Sequence, residues 1–152
     1  MSVTMQQVLA EIDKDEPNYA AAAQLGPDAL PHLQMIIEAN DPLRAAKAAY
    51  AASLIGGPGA IDALRRAGDH HDPQVRIAAA QGLKNLAEAA PSDLVMKALN
   101  DHDSGVRKLA VATASVLKRV DLNQKILSIA KGDPEEHLRA AASSAAQKLN
   151  LR

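Results

Sequence analysis

Two short stretches bring imidazoles and carboxylates together, His70-His71-Asp72 and Asp101-His102-Asp103. Neutral imidazole and carboxylate are ligands for divalent metals. A repeat register would carry His70, His71 and His102, with Asp101 and Asp103, into successive inter-helix loops. Their spacing fits no strong metal motif, however, and solvated loop histidines account for them, so neither a metal nor a cofactor is expected. His32 and His137 have no nearby partner in the sequence and are given no role. The acidic groups at Asp13, Asp15 and Glu16, and at Glu135 and Glu136, fall at helix entrances. There negative charge is favoured by the helix dipole rather than by acid–base chemistry.

A second polar series is more regular. Asp41, Asp72, Asp103 and Asp133 are followed by Arg44, Arg76, Arg107 and Arg139, and ten residues past each Arg stands Leu54, Leu86, Leu117 or Leu149. Such a row could bind an anion or an acidic peptide. A structural ladder is the stronger expectation: each Asp caps a helix, and each Arg bonds the cap region or the neighbouring loop while its stem packs on the stack.

Other chemistry is missing. There is no cysteine nucleophile, no Gly-x-Ser-x-Gly elbow, no phosphate loop and no dinucleotide fingerprint. Gly56-Gly57-Pro58-Gly59 is glycine-rich but contains proline between two helical patterns, so it reads as a turn. These absences lead to the expectation that the chain is not an enzyme.

The elements that position these residues are helices. Alanine makes up roughly a fifth of the 152 residues, and β-branched runs are scarce. Asp41-Pro42, Asp72-Pro73 and Asp133-Pro134 each put a capping oxygen before a proline at the first helical position, whereas Asp103-Ser104-Gly105 keeps only the cap. Apolar positions then recur three or four apart, as in Val75, Ala79, Leu83 and Leu86, or Val106, Ala110, Ala114 and Leu117. Shorter helices follow with stripes at Leu30, Leu33 and Ile37, at Ile61 and Leu64, at Leu94, Ala98 and Leu99, and at Leu122, Ile126 and Ala130. Asp28 is the expected cap of the helix that carries Pro31. A repeat of 31 or 32 residues predicts an all-α protein, an α/α superhelix (alpha solenoid) of about five stacked helical hairpins. One domain is expected over residues 1–152, with an irregular N-terminal capping repeat at 1–40 and regular repeats at 41–149.

The run Asp-Pro-x-Val-Arg-x-Ala-Ala-Ala-x-x-Leu-x-x-Leu from Asp72 to Leu86 resembles the HEAT repeat, in particular the short Ala-rich HEAT-like type named after phycobilisome lyases. The resemblance covers residues 41–149 well and 1–40 loosely. It implies the stacked-hairpin fold. It does not choose a function, because the family spans adaptors, assembly scaffolds, bilin lyases, a metal-dependent hydroxylase and DNA repair enzymes. The His-Glu pairs of the hydroxylases are missing from this chain.

In such stacks the second helices line the concave side. Removing the buried stripes leaves Ala45, Ala49 and Ala52, then Ile77, Gln81 and Lys84, then Lys108, Ala112, Ser115 and Arg119, then Ala140, Ser144 and Lys148. This mildly basic face suits an acidic or amphipathic helix. The function expected is therefore a non-catalytic protein–protein interaction scaffold with a shallow concave groove. The alternatives are a bilin lyase component or chaperone, disfavoured by having only Tyr19 and Tyr50 as aromatic residues, and a nucleic-acid-binding protein, disfavoured by a net charge of −1. Self-association into a homo-oligomer is left open: an alanine face formed by Ala141, Ala142, Ala145 and Ala146 of the last hairpin could dimerise or simply stay solvated. Absence of cysteine, of an apolar leader and of any run of about 18 apolar residues points to a cytoplasmic location and no membrane partner.

Overall fold

A computed structural model describes residues 2–152. Ten α-helices pair into five hairpins among them, and no strand is present. The helices are α1 (Met5–Ile12), α2 (Tyr19–Gln24), α3 (Leu30–Glu38), α4 (Pro42–Ile55), α5 (Gly57–Gly68), α6 (Pro73–Leu86), α7 (Ser92–Leu99), α8 (Ser104–Leu117), α9 (Val120–Gly132) and α10 (Glu136–Lys148). None is long and apolar enough to cross a membrane. The chain divides into two compact units, Met1–Ala89 with three hairpins and Ala90–Arg152 with two.

In the first unit α4 packs most extensively against α6, and α3 lies against both α4 and α5. Alanine makes this closeness feasible: Ala45, Ala48, Ala49, Ala51 and Ala52 of α4 are all fully buried. Gly82 of α6 has the same cause, since a Cβ there would stand 2.9 Å from Leu64 Cδ2 and from Ser53 Cβ. Across this seam Asn85 Nδ2 donates to Ser53 Oγ at 3.0 Å, and that hydroxyl donates to Tyr50 O. The α4–α5 connection is a tight corner in which Gly56 and Gly57 take φ of 78° and 82°, open to glycine and strained for other residues.

Several sequence expectations shift here. Ala45, Ala49 and Ala52 belong to the interior, not to an exposed concave face. The repeat that contains them is slipped: Arg76, Arg107 and Arg139 are each the fourth residue after the N-cap, whereas Arg44 is the third after Asp41. The fourth place falls to buried Ala45, and Leu54 turns outward to 38% exposure while Leu86 and Leu117 stay buried. The α3 helix is entered through Gly26 and a 3-10 turn at Pro27–Ala29, so Asp28 lies inside that turn and does not cap.

In the second unit α8 packs against α7 and α10, and α9 against α10. Its core is built on Leu94, Val95, Leu99, Val106, Leu122, Ile126 and Leu138. Ala142, Ala145 and Ala146 are buried by these neighbours, which corrects the expectation of an exposed alanine face for dimerisation.

Candidate functional site

The polar groups at the hairpin turns are occupied in structure. Asp72 and Asp103 cap α6 and α8, accepting from Gln74 N at 2.8 Å and from Gly105 N at 2.8 Å; Asp41 accepts from Arg44 N at 3.1 Å. Asp133 departs from the expected role, because the N-cap of α10 is Glu135. Asp133 stands two residues earlier and accepts from Glu135 N at 2.9 Å. That is the position of Asp101, which accepts from Asp103 N at 2.9 Å, and of His70, whose Nδ1 accepts from Asp72 N at 3.0 Å. One buttress therefore precedes each of these caps, filled by imidazole once and by carboxylate twice. Burial, followed by the His71 ring stacked on it at 4.4 Å, lowers the His70 pKa against the opposing pull of Asp72, in keeping with a neutral acceptor nitrogen.

The arginines close the same turns. Arg76 Nη1 donates to His70 O and His71 O, Arg107 Nη1 to Asp101 O and His102 O, and Arg139 Nη1 to Asp133 O and Pro134 O. Arg107 also grips Asp133 with Nε and Nη2 at 2.9 and 3.0 Å. Arg44 instead reaches back to Asp13 with two bonds of 2.9 Å. Among the described residues no group of three or more His, Asp or Glu side chains could hold a metal ion. His102 is exposed, His137 Nδ1 lies 3.9 Å from Glu135, and His32 Nε2 hydrogen-bonds Val3 O at 2.7 Å, a tie across 29 residues that sequence proximity could not reveal.

The residues expected to form one basic groove belong to both units. Ile77 and Gln81 line a cavity in the first unit, and Lys84 is exposed near the end of α6. Lys108, Ala112 and Ser115 line a groove in the second unit. Arg119 lies at the N-cap of α9, where it donates to Ala90 O and to Ser92 Oγ and so ties the start of α9 to that of α7.

The first-unit cavity, of about 480 Å³, was not foreseen. It opens along α2, α4 and α6, with Tyr19, Tyr50, Leu43, Ile77, Lys47 and Gln81 among its walls. Tyr19 and Tyr50 meet edge to face, centroids 4.7 Å apart, so both aromatic rings of the chain share one site. Leu43 is 70% exposed beside them. Burial and then the nearby Tyr50 push the Tyr19 pKa above its ordinary value. The only sequence clue was a spacing of 31 between the tyrosines, one repeat length, which puts them at matching places on second helices. The walls thus combine aromatic faces, aliphatic surface, an ammonium and amides, a set suited to a flat, conjugated, partly anionic ligand.

A family model described as HEAT repeats matches residues 66–147, more than half of the chain. The chain belongs to the HEAT repeat family. No curated protein matches this HEAT-repeat chain. Among solved structures, a chain from the complex of CpcE and CpcF of phycocyanin lyase from Nostoc sp. PCC7120 is similar to it, at 23% identity and a TM-score of 0.75. The match covers 93% of this chain and 96% of that one, and gives the fold as the α/α superhelix of HEAT-like hairpins. It also overturns two expectations, that the chain is a non-catalytic scaffold and that it is not an enzyme. A chain of the same fold over nearly its whole length is part of a lyase, so missing nucleophile and phosphate motifs are no argument against enzymatic function in this architecture.

Proposed function

We propose that the chain is a component of a lyase acting on an open-chain tetrapyrrole, a bilin, and that it works together with a second protein chain. The observation that carries this reading is the nearly full-length fold match to a component of phycocyanin lyase, itself a complex of two different chains. The first-unit cavity supports it independently. Tyr19 and Tyr50 offer ring faces and edges to conjugated pyrroles, Leu43 and Ile77 cover apolar edges, and Lys47 and Gln81 are within the lining for carboxylate and ring N–H groups. The scarcity of aromatic residues is no objection once both are gathered at one site. The chain has no cysteine, so it holds and orients the chromophore and supplies no thiol of its own.

Biliverdin, a commercially available open-chain tetrapyrrole, tests the reading when titrated into the full chain. The expected result is a shifted absorption band with induced circular dichroism, weakened about tenfold or more by Tyr50→Ala, as for loss of one stacking platform. An unchanged spectrum at high protein concentration would overturn it. The same spectral response in Tyr50→Ala would move the chromophore away from this cavity.

A further inference from the structure

The second unit carries a groove with a different chemistry. It lies between α8 and α10, has a volume of about 250 Å³, and is floored by Val111, Ala112, Ser115, Ala141, Ser144 and Ala145. Lys108 and Lys148 stand at its rim, both exposed. Among the described residues neither lysine has a hydrogen bond or ion pair, in contrast to the neighbouring Arg107, Arg119 and Arg139. No acidic residue occurs in α8, and α10 has only Glu136 in its first turn. Two unneutralised cations therefore flank a narrow, smooth, largely apolar trough.

We propose that this groove docks an acidic amphipathic helix of a partner protein. Short connections make α8, α9 and α10 alternate in direction, so α8 and α10 run the same way. Lys108 is the fifth residue after its N-cap and Lys148 the thirteenth after its own. Counted from their N-caps, the two lysines are thus offset in register by eight residues, a backbone rise of about 12 Å at 1.5 Å per residue. A helix lying in the trough meets them with carboxylates seven or eight positions apart, on one face, while small apolar side chains between them rest on Ala112, Ala141 and Ala145. This partner surface does not depend on the chromophore reading.

The test uses fluorescein-labelled helical peptides of about 20 residues built from Ala and Leu. One carries glutamates at every seventh position, and one carries lysines there instead. Fluorescence anisotropy with the full chain should detect the acidic peptide only, with affinity falling as salt rises. The double variant Lys108→Glu/Lys148→Glu should weaken it about tenfold or more and gain affinity for the lysine peptide, with its thermal melt and biliverdin response unchanged. Equal binding of the two peptides, or undiminished binding by the double variant, would overturn the proposal. So would sedimentation showing self-association that the double variant abolishes, because the occupant would then be a second copy of the chain.

Discussion

Arg44 with Asp13, and Arg107 with Asp133, are the same interaction drawn twice. Each guanidinium holds a carboxylate through Nε and Nη2 in a fork, all four bonds 2.9 to 3.0 Å long. Their surroundings differ. The first pair has side chains 42% and 38% exposed, the second 13% and 4%. Geometry alone therefore does not rank them. An exposed pair is screened by water and contributes roughly 0.2 to 1 kcal/mol, whereas removing one partner of a buried pair strands the other charge and costs about 3 to 5 kcal/mol. The exposed pair belongs to the repeat in which arginine slipped one place toward the cap; the buried pair belongs to a repeat in register.

The sharpest way to break the comparison is Arg107→Ala, for which urea denaturation should show a loss of about 3 kcal/mol or more. A loss as small as that of the exposed pair would mean that Glu135 N–H and the charge of Arg139 suffice to hold Asp133. The pH dependence gives the same contrast a sign. Burial alone would raise the Asp133 pKa, but the bonds from Arg107 and the Glu135 backbone, with the charges of Arg107 and Arg139, bring it below its ordinary value. A depressed carboxylate stabilises the fold above its unfolded pKa of about 3.9, and that contribution disappears as pH falls through the lower folded value. Acid melts below about pH 4 should therefore be shallower for Asp133→Asn than for the unsubstituted chain.

The apolar partners of the signature extend the comparison. Leu117→Ala should cost about 2 to 4 kcal/mol, because the vacated volume is in the core, and Leu54→Ala less than about 1 kcal/mol. Thermal or urea unfolding of both variants would refute the slipped register if the two losses were equal. The smallest effect is expected for Arg44→Ala, at most about 1 kcal/mol and diminishing in high salt. A salt-independent loss would show that this pair is more shielded than its exposure suggests.

Much of the architecture was legible in the chain itself. Capping aspartates, prolines in first turns and apolar spacing of three or four identify α4, α6 and α8, because these are local backbone preferences. The buried stripes from Val75 to Leu86 and from Val106 to Leu117 follow from the same periodicity. At the fourth regular repeat the local pattern misled: Asp133-Pro134 imitates a cap, yet the helix starts after Glu135, and Asp133 turns back to support it.

What only the tertiary structure decided was which small residues face inward and which distant residues meet. Alanine carries no polarity to mark its side of a helix, so the burial of Ala45, Ala49 and Ala52 follows from the packing of α4 among its neighbours and not from the sequence pattern. Tyr19 and Tyr50 are unremarkable apart, and they line one cavity because α2 and α4 are stacked closely enough to bring their rings together. Lys108 and Lys148 flank one trough for the same reason. Helix formation depends on near neighbours along the chain, whereas a site depends on side chains from different hairpins, whose meeting is set by how closely their backbones can approach.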